Sequence, residues 1–261
     1  MTIKVGAAHI DERGRASGGQ SGDQTGRELS IKPGYIYNDG WDYCIRIKSL
    51  SKRKKFKEFI KWACGSKYIG YDQGQRLSLY NELKRIGFNN YMLLNKNVEC
   101  DCSSLVACGL IVAGFTKISP KATTHYNKDI DTALSLMKTM KKNYPNSFTY
   151  FDSKYKNGNH TKVSTWWRNG DILLKQGNHV ETVVSGGRKI IKKASYYAQY
   201  RGASIKIDDV LKDIGASPNR YGSVSKRKPI AKANGIVNYK GTAKQNLKMV
   251  SLAKKGKLKR A

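Results

Sequence analysis

Residues 102 to 113 read Cys-Ser-Ser-Leu-Val-Ala-Cys-Gly-Leu-Ile-Val-Ala, apolar or small at nearly every position, and the run stops at Gly114. A helix with no polar face is stable only when the rest of the chain covers it on all sides, so the fold has to be built around this segment. Asp101 stands immediately before it, where a short carboxylate can accept from the first free amides of a helix.

The remaining pattern supplies the cover. Residues 52 to 64 place Phe56, Phe59, Ile60 and Ala63 at helical spacing. Residues 75 to 86 do the same with Leu77, Leu79, Tyr80 and Leu83 before a stop at Gly87. A further helix is predicted over 129 to 141. The aromatic-rich, alternating stretch from 35 to 47 predicts a strand. Three β-like runs, 171 to 174, 179 to 184 and 189 to 191, are separated by Gly177-Asn178 and Gly186-Gly187, the pattern of an antiparallel meander. Residues 14 to 26, rich in Gly and small polar side chains, predict a loop. Helices first and strands later define an α+β domain.

The chain has 261 residues with 49 Lys and Arg against 19 Asp and Glu, a net charge of +30. Its 16 Tyr, 6 Phe and 4 Trp are enough for a core, so the charge belongs to a folded protein rather than to a disordered basic tail. A field of this sign concentrates polyanions: nucleic acid, an anionic membrane or an acidic wall polymer. No helix-turn-helix, ribonucleoprotein-type or zinc-finger pattern favours the first of these. Residues 226 to 261 hold twelve Lys or Arg and no acid. A linker is expected over 223 to 232, followed by one short helix over 242 to 255 with too little apolar surface to fold alone. The expected division is a main domain over 1–222 and a basic linker and tail over 223–261. The amino-terminal residues lack the apolar stretch of a signal peptide and no window reaches membrane-spanning length, so synthesis and retention in the cytoplasm are expected.

Five cysteines, at 44, 64, 100, 102 and 108, form an odd number without a CxxC pair. Neither a disulfide framework nor a structural zinc site is expected, and no cofactor or metal is called for. One thiol stands apart: Cys102 opens the buried helix, where free amides and the helix dipole favour a thiolate. A thiolate nucleophile needs a base active near neutral pH, and the candidates are His9, His125, His160 and His179. Only His179 begins a credible core strand, and strand alternation puts Glu181 on the same side. The other three histidines are expected at the surface, and Cys100 and Cys108 in the core.

Asp101-Cys102-Ser103-Ser104-Leu105-Val106, then Arg168-Asn169-Gly170-Asp171-Ile172-Leu173, then Asn178-His179-Val180, resemble in that order the NlpC-type cysteine peptidases that degrade bacterial cell walls. The likeness covers residues 68 to 194. The Gly-rich opening also resembles the start of related hydrolases of phages and prophages of Gram-positive bacteria. The resemblance implies a papain-like fold with a central antiparallel sheet packed on the cysteine helix, Cys102 as nucleophile and His179 as base. Members of the family usually carry a third polar residue about a dozen positions after the strand histidine. Residues 188 to 193 offer none here, so Glu181 is the substitute, with Ser195 or Gln199 behind it. Tyr71 occupies the place of a family tyrosine that lines the substrate cleft. Asp101, Ser103 and Trp167 are assigned to the substrate side with it, and main-chain amides near Cys102 and Ser103 are expected to hold an oxyanion.

The function implied is an endolysin-like peptidoglycan hydrolase, either an endopeptidase or an N-acetylmuramoyl-L-alanine amidase, made in a host bacterium's cytoplasm and acting at the wall after release. Its expected partners are peptidoglycan and anionic wall polymers, with the basic tail as a truncated wall-binding segment. The alternatives are a papain-fold peptidase or acyltransferase acting on protein and a basic nucleic-acid-binding protein.

Overall fold

A computed structural model of the chain describes residues 2–124, 135–187 and 196–261. The chain divides into two compact units, Met1–Lys189 and Ile190–Ala261.

The strands of the first unit are β1 (Lys4–Ala8), β2 (Leu29–Pro33), β3 (Tyr43–Ile47), β4 (Ile69–Tyr71), β5 (Val98–Cys100), β6 (Phe148–Phe151), β7 (Asp171–Lys175) and β8 (His179–Ser185). Its helices are α1 (Leu50–Ala63), α2 (Ser78–Ile86), α3 (Cys102–Val112), α4 (Leu136–Asn143) and the single turn α5 (Asn159–Lys162). Six strands form one sheet in the order β2-β1-β8-β7-β3-β6, every neighbouring pair antiparallel. A separate parallel pair joins β4 to β5. The fold is α+β, with the sheet packed on the helix that starts at Cys102.

Every residue of α3 is buried, as its sequence requires. It lies against α1, β8 and β1. Contact with α1 is close because Gly109 has no side chain: a Cβ there would stand 2.9 Å from the Phe56 ring and 3.1 Å from that of Phe59. The sheet separates two apolar layers in strict alternation. Ile45, Ile47, Ile172, Leu174, Val180 and Val184 join the helices in the main core. Val5, Cys44, Leu173 and Val183 face the other way and are roofed by Trp41, Phe151 and Trp167.

On that second face lies a buried ion pair. Arg46 Nε and Nη2 donate to the two carboxylate oxygens of Asp171 at 2.7 and 2.6 Å, and the Arg168 amide donates to Asp171 Oδ2 at 2.8 Å. This is why the Gly-Asp-Ile run has its Asp: the carboxylate fixes the turn that enters β7 and neutralises an arginine that is only 7% exposed.

The structure departs from the sequence expectations in several places. The strand of 35 to 47 is confined to β3, because residues 35 to 42 make an aromatic turn in which Trp41 Nε1 donates to the Tyr35 carbonyl at 3.0 Å. Strands β1 and β2 bracket the Gly-rich loop and were not foreseen. Part of the 129 to 141 helix and the whole 189 to 191 strand fall outside the described residues, although α4 covers 136 to 143.

In the second unit, α6 (Ile207–Asp213), α7 (Val224–Ala233) and α8 (Ala243–Lys254) enclose a core of Tyr197, Tyr200, Val210, Leu211, Ile230, Met249 and Leu258 among others. The expected linker over 223 to 232 is therefore the helix α7, capped by Ser223, whose hydroxyl accepts from the Lys226 amide. The tail has an apolar core because residues from 197 to 216 supply the surface that residues 223 to 261 lack. Arg227 anchors it, donating to both oxygens of Asp208 at 2.7 Å and to the Tyr239 hydroxyl at 2.9 Å.

Removing one partner of the Arg46–Asp171 pair strands a charge in the interior. Asp171→Ala is expected to cost about 3–5 kcal/mol, read as a lower urea midpoint with an unchanged slope. An apolar replacement of both residues is expected to recover most of the loss.

Candidate active site

The start of α3 is held by side chains rather than left open. Asp101 Oδ1 accepts from the Ser104 amide at 2.7 Å while Ser104 Oγ accepts from the Asp101 amide at 2.9 Å, a closed capping box. Arg76 Nε lies 2.7 Å from Asp101 Oδ2, and its Nη2 donates to Ser103 Oγ and the Ala122 carbonyl, both at 2.8 Å. Ser103 in turn donates to Asp101 Oδ1 at 3.0 Å. Asp101 and Ser103, assigned above to the substrate, are thus committed to fixing the helix start; their polar atoms face one another and Arg76. Between them Cys102 is 7% exposed.

Strand β8 brings the base. His179 is hydrogen-bonded to Cys102, and its Nε2 lies 3.4 Å from Glu181 Oε1. Burial pulls the His179 pKa down, but the Cys102 and Glu181 bonds and charges outweigh it and raise it to about 9. The ring therefore carries its proton at neutral pH. Burial pushes the thiols of Cys44, Cys64, Cys100 and Cys108 up, that of Cys64 to about 12, and makes them poor nucleophiles. The histidine bond sets Cys102 apart from them.

A second histidine joins the pair. Gly6 lies opposite Thr182 in the β1–β8 ladder, and His9 follows directly on the end of β1, beside His179 at the start of β8. Their ring centroids are 5.7 Å apart. Burial, Lys32 and His179 depress the His9 pKa to about 4, so this ring is neutral where its neighbour is charged. His9 was expected at the surface. The alternation Val5, Ala7, His9 carried the signal, but only the pairing with β8 gives it a destination. His9, His179 and Glu181 each offer one possible ligand atom within 4.8 Å of the others.

Tyr71 ends β4 next to this cluster. Burial raises its pKa to about 12 with the charges of Cys102 and Asp101 adding to the effect, and its hydroxyl accepts from Gln73 Nε2 at 3.0 Å. Its place depends on the Gly-rich loop, which three carboxylates pin through backbone amides: Gly18 to Asp72 at 2.9 Å, Gly22 to Glu99 at 2.7 Å and Gln24 to Glu28 at 2.8 Å. Glu28 also accepts from the Tyr71 amide at 2.9 Å. Gly70 must lack a side chain, since a Cβ would meet the Gly22 carbonyl oxygen at 2.6 Å.

Tyr35 was not assigned a role from the sequence. Burial raises its phenol pKa, as do its bond to the Tyr37 hydroxyl and the charges of Glu181 and Cys102. It is 41% exposed and so stands at the open side of the cluster. Trp167 does not line a cleft: it is fully enclosed under the second face of the sheet, with Nε1 donating to the His160 carbonyl at 2.8 Å. His160 is also internal, stacked on Phe151 at 3.9 Å between centroids. His125 and Ser195 lie outside the described residues. Gln199 belongs to the second unit, where Nε2 donates to the Lys254 carbonyl at 2.9 Å.

A family model for the endolysin-like domain matches residues 5–190, and the chain belongs to that family. Membership points to hydrolysis of bacterial peptidoglycan. No curated protein and no solved structure matches the chain. Among the described residues, no helix is long and apolar enough to cross a membrane.

His179 is expected to titrate near pH 9 by NMR of its ring protons, the imidazolium persisting below that value and losing its proton above it. In Glu181→Gln the titration should move downward, because one of the two groups that hold the proton has lost its charge. An unchanged midpoint would separate Glu181 from His179.

Proposed function

We propose that the chain is an NlpC-like, papain-fold cysteine hydrolase that cleaves an amide bond of peptidoglycan, with Cys102 as nucleophile, His179 as acid and base, and Glu181 as the positioning carboxylate. The observation that carries this reading is the hydrogen bond between Cys102, at the capped start of a buried helix, and a protonated His179 that also faces Glu181.

In this mechanism the Cys102 proton rests on the imidazole and the sulfur attacks the carbonyl carbon. Main-chain amides at the start of α3 stabilise the oxyanion, and Asp101 and Arg76 act by fixing that turn. Collapse breaks the C–N bond while His179 gives its proton to the departing amine. The now neutral imidazole takes a proton from water, whose oxygen attacks the thioester and releases the acid. Glu181 orients the ring and stabilises its cation, the role that a third member plays in such triads. Tyr71 and Tyr35, whose phenols both feel the charge of Cys102, are assigned to the substrate side.

Binding to the wall is assigned to the second unit. Residues 190 to 261 contain eighteen Lys or Arg and three Asp. Lys228, Lys232 and Lys240 border one open groove with Val237 and Tyr239. Such a surface suits a polyanion such as teichoic acid, held by charge and weakened by salt. A phage or prophage origin, with action at the wall after release from the producing cell, fits the same reading.

Cys102→Ala is expected to lower the lysis of purified walls by about 10⁴-fold or more, with an unchanged circular-dichroism spectrum; lysis at the original rate would end the thiolate mechanism. Deleting residues 190 to 261 should weaken binding to whole walls, most visibly at low salt, while a soluble muropeptide is still cut at a similar rate. If wall binding survives the deletion but DNA binding is lost, the basic unit serves nucleic acid instead.

A further inference from the structure

We propose that His9, His179 and Glu181 form a zinc site, and that a zinc ion held there stops hydrolysis by occupying the imidazole that Cys102 needs. The inhibitory half of this inference rests on the function proposed above; the site itself does not.

Three observations support it. The three side chains offer one ligand atom each within 4.8 Å of the others. His179 Nε2 and Glu181 Oε1 stand 3.4 Å apart, which is about the edge of a tetrahedron whose metal bonds are roughly 2.1 Å. The His9 ligand atom lies within 4.8 Å of both. Second, His9 Nε2 and Glu181 Oε2 are both buried and have no hydrogen-bond partner. Buried polar atoms are almost always satisfied, so two orphans in one cluster call for a ligand. Glu181 is only 1% exposed, which makes its free oxygen costly to leave bare. Third, His179 and Glu181 lie on β8 and His9 follows directly on the end of its neighbour β1, with a backbone hydrogen bond to Ser30 at the His9 ring. The site is thus built on rigid elements with an outer contact that orients one ligand.

The donor set selects the ion. Two imidazoles and one carboxylate suit zinc better than magnesium or calcium, which prefer oxygen. Lys32 is close enough to act on His9 and disfavours an ion held by charge alone. On binding, the second proton of His179 leaves to solvent as the metal takes that nitrogen's lone pair. The other ring nitrogen then carries the remaining proton, so the imidazole has no lone pair left to accept one from Cys102. Three protein ligands leave a fourth position for water.

The test is equilibrium dialysis of the full-length chain against zinc chloride, alongside wall lysis with and without EDTA. One zinc per chain is expected for the native protein and for Cys102→Ala. In His9→Ala, retention should be about tenfold or more weaker, the scale on which a metal site responds to loss of support. Zinc at one equivalent should abolish lysis by the native protein, and EDTA should restore it. His9→Ala should lyse walls in the same zinc. Glu181→Gln carries the same binding expectation should His9→Ala fail to fold. No zinc on the native protein, or equal retention by His9→Ala, would overturn the site. Loss of zinc from Cys102→Ala would place the metal on the sulfur instead and also overturn it. Retention with undiminished lysis would overturn the inhibition. If Cys102→Ala lyses walls normally while still binding zinc, the site stands and the thiolate mechanism falls.

Discussion

The buried helix α3 is the constraint on which the first unit depends. Eleven residues with no polar face need cover from α1 on one side and from β1 and β8 on another, and the helix start still has amides to satisfy in a place that water reaches poorly. Asp101, Ser104 and Arg76 meet that need, and in doing so they hold the turn at which Cys102 begins the helix. The bonds that make burial of the helix start possible also fix the turn that carries Cys102.

The sparse acids of a chain with a charge of +30 are placed with economy. Asp171 neutralises Arg46 under the sheet, Asp208 neutralises Arg227 in the second unit, and Asp101 holds Arg76 at the helix start. Asp72, Glu99 and Glu28 accept from the amides of a loop whose glycines offer little else to pack. Burial raises Glu99 to about 7 despite the Gly22 amide, so its loop contact is sensitive to pH near neutrality. In each case the carboxylate organises a segment that hydrophobic burial alone would leave loose.

The site places two histidines side by side in opposite states. His179, with Cys102 and Glu181 as partners, keeps a proton; His9, with Lys32 and a charged neighbour, refuses one. Repulsion between two imidazolium rings is thereby avoided. The neutral ring is left with a buried nitrogen that has no hydrogen-bond partner, the atom on which the proposed zinc site draws.

Neighbouring residues were enough to settle the local features. An apolar run ended by glycine fixed α3; spacing fixed α1 and α2; alternation broken by Gly177-Asn178 fixed the β7–β8 hairpin; and Asp101-Cys102 with Asn178-His179 marked the pair that meets. These are short-range properties, written in neighbouring residues. Tertiary structure decided what depends on partners far along the chain. The β1–β8 register turned His9 from an apparent surface residue into a member of the site. The roof of the sheet took Trp167 and His160 inward. Asp101 and Ser103 were bonded to Arg76, some 25 residues upstream, and a stretch that reads as a basic linker became α7 because residues 197 to 216 supply its apolar cover. A residue's type sets what it can bond, but which of those bonds forms depends on the strand or helix brought opposite it.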